Sequence, residues 1–415
     1  MERVLVTGAA GFLGSYVVDA LLARGCHVMA YDCLLPQVHP RAPSWPDYQP
    51  DHERLTKWFG DVRQYRNAFL SALEEFRPDT VIHLAAAVGV GQSTYEPAHY
   101  TSANVTGTAA VLDWILRWNR EQDEVEASLV ELARTDDVEV QEGQAREDAV
   151  AAFLETIAPM REAMEAKRRP RIQRVFVAGS MSSYGEGAYV SSGPVPVDLP
   201  PGHPDAIPAP TPEGHPFRGA SVYAWSKGEA ERISLMLGRQ HGLDVRVGRF
   251  FNAYGSRQAL SNPYTGVAAI FAARLQAGLA PIVYEDGGMT RDFTHASDIA
   301  SGVLAILDNG APGEVYNVGT GVPTSILELA CLLALRVAPE GAEPIVPIVT
   351  NTSRVGDIRH CYADASKLRA LGWEPKVTLD AGVTELLAWV ASQPAESQEL
   401  LDRAHAELEA LGLVR

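Results

Sequence analysis

The chain has 415 residues, enough for two or three domains or for one large domain with an appendage. Hydrophobic residues make up 46% of it, so a substantial core is available. Its net charge of −17 argues against nucleic acid as a partner, because phosphate would be repelled, but leaves room for a local arginine cluster around one small anion. In chain order, "RVLVTG" is a short apolar run ending at Gly8 and reads as a buried strand. "SYVVDALLARG" has helical periodicity and stops at Gly25, and "HVMAYD" is a second strand ending at Asp32. Strands recur as "TVIHLAA" at 80–86, "RVFVAGS" at 174–180 and "DVRVGRFFN" at 244–252, with helical segments between most of them. The alternation predicts an α/β fold, a doubly wound parallel sheet of Rossmann type with helices on both faces.

The C-terminal part reads differently. Pro- and Gly-rich loops, a strand "PIVYEDG" and helices such as "SILELACLLALRV" predict a smaller α/β lobe beside the sheet. The expected division is 1–250 for the sheet domain and 251–415 for mainly the lobe, with some segments returning to the sheet. Residues 117–170 are charged and largely helical and read as an insertion, parting a helix at 105–116 from the strand at 174. Residues 186–219 are rich in Pro and Gly and read as a long loop.

The cysteines at 26, 33, 331 and 361 are scattered, with no CxxC pair and no His/Cys cluster at metal spacing, so no metal is expected. Met1 runs directly into a strand pattern and no apolar run reaches membrane-spanning length. The expectation is a soluble cytoplasmic protein with no membrane partner.

"VTGAAGFLGS" places Gly8, Gly11 and Gly14 in the pattern GxxGxxG between a strand and a helix, where backbone N–H groups can meet a pyrophosphate. Alone, a glycine triplet is often only a tight turn. Here Asp32 ends the next strand, eighteen positions beyond Gly14. A carboxylate there accepts hydrogen bonds from both ribose hydroxyls and repels a 2′-phosphate, which favours NAD over NADP. In "GDVR", Asp61 and Val62 follow a presumed third strand and suit an adenine edge; a plain turn is the alternative. Leu84, Ala85 and Ala86 are small or apolar just after a strand and either line the middle of the cofactor or pack on the sheet. In "SVYAWSKGEAE", Tyr223 and Lys227 lie at i, i+4 on one helical face. On spacing alone this is either a surface pair or a lysine that lowers the pKa of a catalytic tyrosine.

Taken together, the N-terminal GxxGxxG, the serine-rich strand end "AGSMSSYGEG" and YxxxK resemble the extended short-chain dehydrogenase/reductase family. "RFFNAYG", "RDFTHASDIA", "EVYNVGTG" and "RVGDIRHCYADASKLRALGWEP" are similar to its nucleotide-sugar branch, and the likeness runs from Val4 to about Val390 apart from the two insertions. "AAAVGVGQSTYE", "SMSSYGEGAY", "RQALSNPYTGVAAIF" and "RVGDIRHC" resemble dTDP-L-rhamnose 4-epimerases.

The resemblance implies a 4-epimerase that oxidises a sugar hydroxyl with NAD, lets the 4-keto sugar turn, and returns hydride to its other face. It makes Tyr223 the base, with its pKa lowered by Lys227 and the nicotinamide, Lys227 also a ligand of the nicotinamide ribose, and Ser180 the hydroxyl that bonds the reacting oxygen, with Ser182 as a stand-in. It adds Phe12, Leu13 and Asn104 to the cofactor set. It assigns substrate binding to the smaller C-terminal lobe, and matches Asn252, Arg291 and Arg354 to groups that hold a nucleotide diphosphate, the arginines as two bidentate forks. It matches Asp357 to a carboxylate near the ribose, sets Val267 and Tyr284 beside the base, and places the sugar between Val88, Ser180 and Tyr223. It also implies a homodimer paired through helices, one of them carrying YxxxK, for which Ile233, Met236 and Leu237 have the apolar spacing. A dehydratase, decarboxylase or reductase with the same 4-keto intermediate is the nearest alternative. A non-catalytic NAD(H) sensor is the alternative from another class.

Overall fold

A computed structural model describes residues 2–39, 44–64, 67–135, 138–141, 144–193, 197–260, 266–354, 356–394 and 410–412. The quoted stretch at 261–265 and Val355 lie outside the described residues, as do short pieces of the two inserted segments.

The N-terminal half begins with β1 (Arg3–Thr7), α1 (Phe12–Ala23), β2 (His27–Asp32), β3 (Leu55–Phe59), α2 (Asn67–Phe76) and β4 (Thr80–His83). Two short helices follow, α3 (Val90–Ser93) and α4 (Pro97–Thr101), then a π-helical turn over Ser102–Thr106. The turn runs straight into α5 (Gly107–Leu132), and α6 (Arg146–Lys167) packs against α5 before β5 (Arg174–Ser180). The insertion therefore begins within a helix: α5 is continuous from the segment at 105–116 into 117–132. Its first turns bury Val111, Trp114, Ile115 and Trp118 on the sheet, and the helix then runs outward. Polar ties fasten the return of the chain. Asn119 exchanges hydrogen bonds with the backbone of Ile172 at 2.8 and 2.9 Å, and the Arg169 guanidinium stacks 3.6 Å from the Trp118 ring.

Residues 186–219 are more than a loop. They hold the antiparallel pair β6 (Tyr189–Ser191) and β7 (Ala206–Pro208), and Thr211 bonds the backbone of Tyr362 and Asp364. Next come α7 (Val222–His241), β8 (Asp244–Phe250), β9 (Asn252–Tyr254), α8 (Val267–Gln276), β10 (Ile282–Val283) and β11 (Thr290–His295). The chain continues with α9 (Ala296–Asn309), β12 (Val315–Val318), β13 (Pro323–Ser325), α10 (Ile326–Val337), β14 (Ile348–Val349), β15 (His360–Cys361), α11 (Ser366–Arg369) and α12 (Leu379–Ser392).

Among the described residues a seven-stranded sheet runs β12-β8-β5-β4-β1-β2-β3, with every neighbouring pair parallel. Both faces are covered, which is why its strands read as unbroken apolar runs. Val4 and Val6 of β1 pack with α1 and α9; Leu5, between them, packs with α2 and α5. The strand order reverses direction between β1 and β4, where ligands of such folds bind. Of the later elements, α8, α10 and α12 share a separate apolar cluster, while α9 lies against α1 and β12 forms the outer strand of the main sheet.

Candidate active site

At the end of β1 the backbone of Gly8 is left-handed, with φ +71°, and a Cβ there would lie 2.6 Å from the Ala85 nitrogen. A Cβ on Gly14 would lie 2.0 Å from the Gly8 carbonyl, so the turn closes against α1 only with glycine. Gly11 caps α1 with no side-chain hydrogen bond, and Gly11, Phe12 and Leu13 line the cavity at the start of the helix. Asp32 is buried at the end of β2 and accepts from Ala10 N at 3.0 Å and Leu34 N at 2.8 Å. Burial raises its pKa, against the pull of those bonds and of His39. Asp61 is clamped by the Arg63 guanidinium, with Nε 2.9 and 3.0 Å from its two oxygens, and its pKa falls.

Ser180 ends β5, and its hydroxyl lies 2.8 Å from that of Ser182 in the short turn that follows. Ser221 caps α7 by accepting from Ala224 N at 3.1 Å, which starts the helix two residues before Tyr223. Tyr223 packs edge-on to Tyr100 at 6.3 Å, and the Ser180 hydroxyl lies near enough to favour its ionised form. The expected fall in its pKa is not met in the protein alone: enclosure raises the phenol, and the Ser180 hydroxyl only partly opposes this. Lys227 is buried, and its ammonium has no hydrogen-bond partner among the described residues. Burial lowers its pKa to about 8, against Glu231 one turn on. Glu231 in turn holds Arg249 through both oxygens, at 2.5 and 2.9 Å, and Arg249 reaches the Tyr184 hydroxyl at 2.8 Å.

On the far side, Arg354 donates from Nε to Asp357 at 2.8 Å and lies 4.6 Å from the centre of the Tyr284 ring. Its Nη groups have no hydrogen-bond partner among the described residues. Arg291 differs from the expected free fork. Its Nη atoms donate to the carbonyls of Thr290, Arg359 and Ile358 at 2.9, 3.2 and 2.6 Å, because a guanidinium buried this deeply must satisfy its donors. Oδ1 of Asn252 and Oε1 of Gln258 are buried without partners among the described residues.

One cavity of about 680 Å³ joins these groups. It is lined by Gly8, Gly11, Phe12, Leu13, Gly14, Asp32, Asp61, Val62, Leu84, Ala85 and Ala86 at one end. Val88, Ser180, Ser182, Tyr223 and Lys227 line its middle, and Asn252, Val267, Tyr284, Arg291, Arg354 and Asp357 the other end. Asn104 does not line it. It sits behind the wall in the π-helical turn, exchanging hydrogen bonds with the Ala87 backbone at 2.7 and 3.1 Å and bonding Ser226 at 2.9 Å. The sequence reading gave no site role to Met181, Phe251, Gln258, Ile282 and Met289, which line the cavity, although the first four lie within stretches it quoted. It also gave no role to Gln37, in the loop after β2, or to Gln92, in α3, which lie far apart in the chain. The glycine cradle and buried Asp32, with the Lys227 ammonium and Arg354 Nη donors that have no hydrogen-bond partner among the described residues, fit a dinucleotide beside a second, anionic ligand. Among the described residues no cluster of His, Cys, Asp or Glu could hold a metal, and no helix is long and apolar enough to cross a membrane.

The family model described as "GDP-mannose 4,6 dehydratase" matches residues 5–132 and 202–386. The unmatched interval holds α6 and also β5 with Ser180. A dTDP-L-rhamnose 4-epimerase of Burkholderia thailandensis is 28% identical over 412 residues, covering 94% of this chain and 96% of its own. A dTDP-glucose 4,6-dehydratase of Actinoplanes sp. is 27% identical over 93% of this chain and 97% of its own. The UDP-glucose 4-epimerase of Thermus thermophilus, solved in complex with NAD, matches with a TM-score of 0.66 at 26% identity, over 94% of this chain and 100% of that one. These matches bear out the resemblance to the nucleotide-sugar branch of the extended short-chain dehydrogenases/reductases.

Proposed function

We propose, from the premise that this chain belongs to the GDP-mannose 4,6 dehydratase family, that it is an NAD-dependent nucleotide-sugar 4-epimerase. Its proposed substrate is a dTDP-6-deoxyhexose such as dTDP-L-rhamnose, supported by the relative from Burkholderia thailandensis. NAD supplies the reversible hydride acceptor. The protein's part is carried by three side chains. Tyr223 takes the proton of the sugar 4-hydroxyl and gives it back. Ser180, whose hydroxyl acts on the Tyr223 phenol, holds the reacting oxygen as its charge changes. Lys227 presents an unpartnered ammonium that favours the phenolate and can bond a ribose hydroxyl. Asp32 receives the adenosine ribose. Arg354, whose Nη groups have no hydrogen-bond partner among the described residues, is the principal diphosphate ligand, Arg291 shapes that end of the cavity, and Asn252 stands beside them. Asn104 acts by fixing Ala87 and α7 rather than by touching a ligand.

One observation favours epimerisation over dehydration. A dehydratase must remove a proton from C5 and protonate the leaving oxygen at C6, which requires an acid and a base beside the keto sugar. Ser180 is followed here by Met181 and Ser182, and both line the cavity. The carboxylates lining it among the described residues are Asp32 and Asp61, at the cofactor end, and Asp357, engaged by Arg354. The 4-keto sugar then has no fate but return of the hydride. Incubation with a panel of nucleotide sugars, followed by NMR of the products, tests this. Inversion at C4 of a dTDP-6-deoxyhexose is expected, and a released 4-keto-6-deoxy sugar would contradict it.

The proposed cellular setting is the cytoplasm, which cell fractionation checks. The proposed assembly is a homodimer through α5 and α7. In its support, α7 exposes Trp225 and Met236, with Ile233 and Leu237 half-buried beside them. A monomeric mass by light scattering at micromolar concentration would count against it.

A further inference from the structure

Gln37 lies in the loop after β2, and Gln92 in α3, after β4. β2 and β4 are the two neighbours of β1 in the sheet, so their loops rise on either side of the glycine turn that follows β1. The two amides meet across that turn. Gln37 Nε2 donates to Gln92 Oε1 at 3.0 Å, and Gln92 Nε2 donates to Gln37 Oε1 at 3.4 Å. Each amide thus uses a donor and an acceptor on the other, an arrangement that fixes both planes. Gln92 is buried and held from behind, accepting from the Tyr100 hydroxyl at 3.1 Å and donating to Glu96 at 3.2 Å. Further along the first loop, the Tyr48 hydroxyl donates to Ala10 O at 2.9 Å and Gln49 Nε2 to Ala9 O at 3.3 Å, fastening that segment to the glycine turn itself. Both Gln37 and Gln92 line the cavity.

We propose that Gln37 and Gln92 form a clasp over the middle of the bound dinucleotide and make its release slow. The inference rests on the reading of this cavity as an NAD site. A ligand that reaches from Asp32 past Gly8 to Lys227 runs beneath the bridge. It leaves only when the loop carrying Gln37 swings off Gln92 and both hydrogen bonds break together. A reaction that returns its hydride to the sugar needs no exchange of cofactor, so slow release is compatible with fast turnover. The clasp keeps the dinucleotide with the protein between one substrate and the next.

The test uses the full chain loaded with NADH, followed by a chase with excess NAD while the loss of bound-NADH fluorescence is timed. Gln37→Leu keeps the bulk of the side chain and loses both hydrogen bonds; Gln37→Ala loses the bulk as well. Both are expected to release NADH about tenfold faster than the unaltered protein, the scale of one or two net hydrogen bonds, and to retain less NAD on purification. Release from folded Gln37→Leu at the unaltered rate overturns the clasp alone. An unaltered protein that binds no NADH overturns the cofactor reading, and the clasp with it.

Discussion

Tyr223 and Lys227 stand one turn apart on α7, and enclosure moves their pKa values in opposite directions, the phenol up and the ammonium down to about 8. Both groups are therefore protonated at pH 7 in the protein alone. The Ser180 hydroxyl is the influence within the protein that lowers the phenol. Charge brought by the bound cofactor must complete the activation. Tyr223→Phe is expected to reduce turnover by about a thousandfold or more, the scale of a lost general base, while NAD stays bound. Loss of NAD from the variant would show instead that the hydroxyl is a cofactor ligand.

The buried ammonium of Lys227 carries a stability cost. Its folded pKa of about 8 lies below the ordinary 10.5, so the folded protein binds fewer protons than the unfolded chain between these values. Stability from this group rises with pH across that window, and the full cost is present below it. The displacement corresponds to roughly 3 kcal/mol at 1.36 kcal/mol per unit. Lys227→Met should therefore raise the melting temperature of the cofactor-free protein at pH 7 by a few degrees and flatten its rise toward pH 10. Calorimetry at the two pH values decides it; a lower melting temperature at pH 7 contradicts the argument.

In the proposed reading, Asp32 sets a preference for NAD. Asp32→Ala should weaken NAD binding and reduce discrimination against NADP, as read by titration calorimetry. Because burial raises the folded pKa of Asp32, its carboxylate protonates at a higher pH than an exposed one. NAD affinity should accordingly fall on acidification before exposed carboxylates titrate, and this pH dependence should vanish in Asp32→Ala. Tighter binding of NADP than of NAD by the unaltered protein contradicts the role.

The parts of the site that could be read in the sequence are those built from one short segment. Gly8 to Gly14, Asp32, and Tyr223 with Lys227 each depend on a strand end or a single helical turn, and local spacing reveals them. The unbroken apolar runs of β1, β4, β5 and β8 marked a sheet covered on both faces. What stayed hidden depends on pairs that only the fold brings together. Glu231, Arg249 and Tyr184 come from three elements, and Gln37 and Gln92 from a loop and a short helix 55 residues apart. The Nη atoms of Arg291 are taken by carbonyls from β11 and from the residues leading into β15, so no motif could show that its fork is occupied. The rise in the Tyr223 pKa was missed because spacing reports the neighbouring charge and not the enclosure.

The insertion illustrates the same limit and yields a prediction. Charge and periodicity marked 117–170 as helical, yet Trp118, Asn119 and Gln122 lie on the sheet side of α5 and tie down Arg169, Pro170 and Ile172. No described residue of 117–170 lines the cavity. Replacing 124–166 by a short glycine linker should leave NAD binding unchanged by titration calorimetry. A deletion that begins at 117 should destabilise the protein, since it removes these anchors. Loss of NAD binding from the folded shorter deletion would make the segment part of the site.

In the proposed reaction, hydride leaves C4 and returns to C4 with no other bond to carbon changed. Turnover of dTDP-L-rhamnose in D2O, read by mass spectrometry and NMR, tests this without intermediaries. The expected product has unchanged mass, C4 inverted and no deuterium on carbon, because no group beside Ser180 and Tyr223 exchanges a proton with C5. Deuterium at C5, or a released 4-keto product lighter by two hydrogens, would contradict it.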